Sequence, residues 1–126
     1  MHRAAWVLQV VLGVYFVAVG VMHFVVPDGL PSVMEWMYDL PDWLHYVSGT
    51  AEILGGLGLI LPGVTKIRPE LTPLAAAGLV IVMLGAAVWH LPRGEAQNIV
   101  SNLVLAALLA FVAWVRWQRH PLHGTG

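Results

Sequence analysis

The chain has 126 residues, of which 59% are hydrophobic and 10% charged, with no cysteine and a formal net charge of −1. A soluble domain this short needs roughly a quarter of its residues charged to cover its surface, so a soluble domain, a disordered chain and a disulfide scaffold are all excluded. The missing thiols also remove iron–sulfur clusters, thiolate metal sites and thiol redox chemistry, and the near-zero charge gives no electrostatic basis for nucleic-acid binding.

An integral membrane protein remains. About 20 consecutive apolar residues cross a bilayer as a helix. The first such stretch is 5–26. It is longer than the apolar run of a signal peptide, and no small-residue cleavage site follows it, so it is read as a retained span. Gln9, Gly13, Phe16, Gly20 and His23 recur along it at spacings of four and three, which places them on one face. In the segment 27–44, Leu30, Val33, Met34 and Met37 recur at helical spacing, and Pro31 suits the first turn of a short helix. This segment is expected to lie flat on the outer surface, apolar side down, as a connecting helix.

The second span, 45–61, carries His45, Gly49, Glu52 and Gly56 on one stripe. The third, 73–91, carries Met83, Ala86 and His90; Thr72 is placed to cap it and Pro73 fits its first turn. The fourth, 99–117, follows Asn98 and holds Asn102 and Leu105, with Ala106, Ala110 and Ala113 on a neighbouring face. The predicted fold is all-α, a single transmembrane domain over 1–126 built as a four-helix bundle. Small residues on helix faces serve close packing in lipid, and no chemistry is assigned to them.

Charge sets the expected orientation. Arg3, Lys66, Arg68, Arg116 and Arg119 fall on one side of the four-span layout; Asp28, Glu35, Asp39 and Asp42 fall on the other, with Arg93 and Glu95. The positive-inside rule then makes both termini and the 62–72 loop cytoplasmic. Trp6, Trp114 and Trp117 sit at inner span ends, and Trp36, Trp43 and Trp89 at outer ends or in the outer loop, as interfacial indoles do.

Ionisable groups inside spans are expensive and face the bundle interior. Glu52 lies seven residues into its span, roughly 10 Å below the outer surface at 1.5 Å per residue. His23, His90, Asn98 and Asn102 fall in the same outer half, on three other helices. Glu52 and His90 are the candidate catalytic pair, with His23, Asn98 and Asn102 as substrate-binding groups. A Glu–His pair can exchange protons near neutral pH and can hydrogen-bond the carbonyl oxygens of a quinone-like head group. The bland alternative is that Glu52 hydrogen-bonds Asn102 or a His and locks the bundle. No compact metal motif such as His-Glu-x-x-His is present, so no metal site is assigned. His45 is read as interfacial, and His2, His120 and His123 as parts of polar termini.

The runs VGVMHFVVP (19–27), SGTAEILGGLGLILP (48–62), LTPLAAAGLVIVMLGAAVWHLPRGE (71–95) and FVAWVRW (111–117) resemble the DoxX-like family of small four-span bacterial membrane proteins. The resemblance extends from about residue 9 to 117, and its most specific parts are Gly49–Glu52 and the stretch Gly85–Glu95. It implies a multi-pass protein of the bacterial inner membrane, with links to quinone-coupled respiration, sulfur oxidation or membrane complexes that protect against oxidative stress. It carries Glu52 and His90 over as functional positions. At position 23 many relatives have Lys where this chain has His, a departure that weakens a fixed role for that residue.

Three functions compete. The first is a quinone-interacting subunit; without cysteine or a Gly-rich dinucleotide fingerprint, it needs a redox partner protein to deliver electrons. The second is a non-catalytic accessory or scaffold subunit of a membrane complex. The third, disfavoured, is a haem bundle with His23 and His90 as axial ligands.

Overall fold

A computed structural model describes residues 2–119 and 121–123; His120 lies outside them. Four helices are long and apolar enough to cross a membrane. They are α1 (His2–Phe24), α2 (Asp42–Thr65), α3 (Leu71–His90) and α4 (Ala96–Trp114), the last continued by a π-helical turn, Val115–Arg119. No strand occurs among the described residues. Successive helices pack side by side and α4 closes back on α1, forming a four-helix bundle. One end, the site end, carries the connections 25–41 and 91–95. The opposite, terminal end carries the 66–70 connection with the start of α1 and the π-helical turn.

The large aliphatic side chains face outward. Val7, Val11, Val25, Leu54, Ile81 and Val88 are among many that are more than half exposed, while the buried positions of α1 and α2 include Gln9, Gly13, Gly20, His23, Gly49, Glu52 and Gly56. In lipid this distribution costs nothing, because the solvent is as apolar as the side chains and only the polar groups must turn inward.

Two glycine pairs set the approach of α1 and α2. A Cβ added to Gly20 would stand 2.9 Å from the Gly49 carbonyl oxygen, and one on Gly49 would stand 2.9 Å from that of Gly20. Gly13 and Gly56 oppose each other in the same way, at 2.9 and 2.7 Å. The two backbones are therefore in contact, which only glycine permits.

α2 is longer than the expected 45–61 span, and it runs through Pro62 without ending. Proline has no N–H, so the carbonyl four residues earlier, that of Gly58, loses its helical donor. Thr72 Oγ1 donates to that oxygen at 2.8 Å. This corrects the role given to Thr72: the N-cap of α3 is Glu70, and the Thr72 hydroxyl instead joins α3 to the break in α2. α2 stops at Lys66, which takes a left-handed φ of 60°.

The apolar core lies toward the terminal half. Leu12, Phe16, Leu59, Ala76, Leu79, Met83, Ala106, Leu109 and Val112 form it from all four helices. Beyond it, at the terminal end, Arg116 is buried: its Nε donates to Gln9 Oε1 at 2.6 Å, and Gln9 Nε2 donates to the Leu59 carbonyl at 2.8 Å. Arg116 also contacts His2 at 2.8 Å and lies over the Trp6 ring. Arg116 is thus a bundle-locking residue as well as a flanking charge, and His2 is part of that lock.

The segment expected to be a short helix on the surface is a 3-10 helix, Ser32–Tyr38, preceded by Pro31. Its buried residue is Met37; Met34 and Trp36 are half-buried, and Val33 stays exposed. Met34 and Met37 lie three apart, one turn of a 3-10 helix, so they share the inward face expected of them, while Val33 does not.

Candidate functional site

Phe16 and Met83 end the core and begin a cavity of about 280 Å³ in the site-end half of the bundle. All four helices and the 3-10 helix line it, mostly with apolar and aromatic side chains. The polar lining residues are Tyr15, His23, Ser48, Glu52, His90 and Asn102. Four of the five residues singled out from the sequence therefore meet at one place. Asn98 does not line the cavity: it sits half-buried in the first turn of α4, one turn before Asn102.

Glu52 reaches the interior because its stripe on α2 is otherwise glycine and histidine. Gly49, one turn away, makes the room. A Cβ there would stand 2.9 Å from His23 Cβ and 2.7 Å from the Phe24 ring. With that space open, His23 crosses from α1 and stands between two groups of α2. Its Nδ1 lies 2.8 Å from His45 Nδ1, and its Nε2 lies 3.1 Å from Glu52 Oε2. The second distance suits an ion pair, but the alignment is not that of a hydrogen bond, so Glu52 Oε2 is left buried without a hydrogen-bond partner. Asn102 Nδ2 is buried and unpartnered as well. Orphaned buried polar atoms are rare in folded proteins and call for an explanation.

His45 was read as interfacial; the structure buries it. Its Nε2 donates to the Met37 carbonyl oxygen at 2.8 Å, satisfying an acceptor near the end of the 3-10 helix. The shared spacing of His45, Gly49 and Glu52 was the sequence signal for this position. What that spacing does not carry is the partner, which comes from outside the spans.

His90 occupies the other side of the cavity. Its Nδ1 donates to Glu95 Oε1 at 2.8 Å, since a carboxylate oxygen accepts, which leaves Nε2 as the acceptor of the neutral ring. Glu95 Oε1 also receives Arg93 Nε at 2.8 Å, and Arg93 Nη2 donates to Asp39 Oδ2 at 2.7 Å. The Arg93 guanidinium holds the Glu95 carboxyl below the usual glutamate range, helped by His90 and opposed by burial. Arg93 covers the Trp89 ring, 4.6 Å from its centroid. The result is a latch of four charged or polar groups that ties the 3-10 segment to the α3–α4 connection.

Trp36 fills the space beneath that latch. Its ring meets His90 edge-on at 4.9 Å, Trp89 at 6.0 Å and His23 at 6.2 Å between centroids. The residues do not fit a haem bound by His23 and His90. Both nitrogens of His23 are engaged, and the Trp36 indole stands beside both rings. Among the described residues no group of three or more His, Asp or Glu is arranged to hold a metal ion. Asn102 Nδ2 is a donor without a hydrogen-bond partner, and the Glu52 carboxyl can accept, or donate when protonated.

The fold and the cavity define a small multi-pass membrane protein with a polar site enclosed in an apolar bundle. The chain belongs to the DoxX-like family, whose model matches residues 7–112. It matches no curated protein and no solved structure.

Proposed function

We propose that the protein binds a small amphiphilic ligand of quinone type in the site-end cavity, acting with a redox partner protein in a bacterial inner membrane. The observation that carries this reading is the pair of buried polar atoms without a hydrogen-bond partner, Glu52 Oε2 and Asn102 Nδ2, on two residues that line one apolar, aromatic-walled space. A head group with carbonyl oxygens satisfies Asn102 and exchanges a proton with Glu52, while His90 offers its Nε2 from the opposite wall. The volume, about 280 Å³, is at the small end of ligand sites and suits a single ring with the tail left in lipid. His23 positions the carboxyl, and Asn98 stays outside the binding set. Electrons come from a partner, since the chain offers no cysteine.

The orientation proposed from charge puts the site end outward. Arg3, Lys66, Arg68, Arg116 and Arg119 all belong to the terminal half.

Calorimetric titration of the detergent-solubilised protein with a short-chain benzoquinone tests this reading. Saturable binding is expected, weakened about tenfold by Asn102→Leu, the loss of one hydrogen bond. The absence of binding at any accessible concentration sinks it. The second reading, an accessory subunit, then gains from the small-residue groove between α2 and α3, where Gly58 packs against Ala75 and the open position of Gly78 leaves room for a partner side chain. Association with a membrane complex that is indifferent to Glu52→Gln is its mark.

A further inference from the structure

We propose that His45 is a positioning residue that fixes the tautomer of His23 and thereby the side on which the Glu52 proton is held. The argument is one of donors and acceptors. The Met37 carbonyl can only accept, so His45 Nε2 carries a hydrogen. A neutral His45 then has a bare Nδ1. That nitrogen lies 2.8 Å from His23 Nδ1, so the hydrogen between them belongs to His23. His23 Nε2 is consequently the ring's free position, and it faces Glu52 Oε2 at 3.1 Å. A lone pair opposite an ionised carboxylate at that distance is repulsive. One proton therefore occupies the gap, either on Glu52 as a carboxylic acid or on His23 as an imidazolium beside a carboxylate.

Both forms leave the cluster with no net charge, which is what a site enclosed by lipid requires. The groups facing it from the packed elements do not alter the count: Tyr15 on α1 and His90 on α3 are neutral in their ordinary forms, α4 presents the uncharged Asn102, and the 3-10 helix presents Trp36. The misalignment of the His23–Glu52 contact leaves this proton free to engage a cavity ligand. The seating of the 3-10 helix, through one carbonyl oxygen, sets the polarity of the chain from Met37 to Glu52.

The inference rests on the cluster geometry and not on the identity of any ligand, so it is tested on the unliganded full chain. The protein, labelled with nitrogen-15 in its histidines and held in lipid nanodiscs, is examined by NMR, with His23 and His45 assigned from single variants. The expected result is hydrogen on His23 Nδ1 and on His45 Nε2, with His45 Nδ1 bare. Hydrogen on His45 Nδ1, or a bare His23 Nδ1, overturns the proposal. His45→Gln should preserve the His23 tautomer, because the amide oxygen accepts from His23 while the amide nitrogen donates to Met37. His45→Leu should release it: with no acceptor at Nδ1, the hydrogen moves to His23 Nε2, where it donates to Glu52, and Nδ1 becomes the bare nitrogen in the same nitrogen-15 spectrum. Retention of the His23 Nδ1 hydrogen in His45→Leu is equally fatal. If that variant does not fold, the wild-type and His45→Gln spectra decide the matter alone.

Discussion

Among the described residues Glu52 is the one buried carboxylate, and its neighbours explain how it is tolerated. His23 stands at 3.1 Å, and Gly49 supplies the room for that approach. Replacing Glu52 with Leu removes the carboxyl and its exchangeable proton, whereas His23→Lys keeps a basic side chain beside it. Any activity should therefore fall further in Glu52→Leu than in His23→Lys, measured in a cell-based assay or by quinone titration. Equal tolerance of both changes counts against a role for the carboxyl in chemistry. The residue scale is also where the sequence was read least completely. Glu52, His23, His90 and Asn102 stood out because ionisable or amide groups inside apolar runs are conspicuous. His45 did not, because its burial depends on a carbonyl in a segment outside the spans. Arg116 looked like a flanking charge, because its partner Gln9 is 107 positions away.

Among the elements, α2 depends most on its neighbours. Pro62 frees the Gly58 carbonyl, and Thr72 of α3 supplies the missing donor. Thr72→Val keeps the shape and strands a buried acceptor, at a cost of about 1–3 kcal/mol. A lowered midpoint of thermal unfolding in detergent, with Thr72→Ser close to wild type, would confirm it. The α1–α2 contact is as sensitive. Gly49→Ala places a methyl group against the Gly20 carbonyl and the His23 side chain, and overpacking of this kind costs about 1–3 kcal/mol. It should also displace His23 and weaken ligand binding, which a Gly→Ala change at exposed Gly78 should not. The stripes Gln9–His23 and His45–Gly56 were readable as helix faces, because the glycines recur at helical spacing. The 3-10 helix was predicted as a short helix with Met34 and Met37 turned inward, as they are; Val33 instead stays exposed, and the half-buried Trp36 was not placed on that face.

At the scale of the whole molecule, the two ends behave differently. The site end is closed by a charged latch between segments 54 residues apart, Asp39 and Arg93, with Glu95 and His90 behind it. Glu95 titrates below the ordinary glutamate range when folded, so the latch contributes stability above that range and loses it as the pH falls through the lowered value. The melting temperatures of wild type and Glu95→Gln should differ near neutral pH and converge in acid. A constant difference at every pH would mean that the carboxylate is not what stabilises the closed end. Orientation is testable because the chain has no cysteine of its own. A single cysteine at Glu35 should react with an impermeant reagent added outside intact cells, and one at Ile67 should not. The bundle class and the four apolar helices were legible from composition and periodicity, since lipid imposes them directly. The latch was not, because nothing local in Asp39 or Arg93 announces the other.

The distribution of the cavity's polar groups along the chain bears on how the protein is made. Segments emerge from the ribosome in order, N-terminal first. Glu52 enters the bilayer in the second helix, when His23 is already there in the first, so the acid meets its basic partner while the rest of the chain is still being synthesised. Asn102 arrives only with the fourth helix, and until then the space between them is open to lipid. The cost of inserting a carboxylate is thus met early, within one hairpin, and the cavity itself comes into being only when the fourth helix joins the other three.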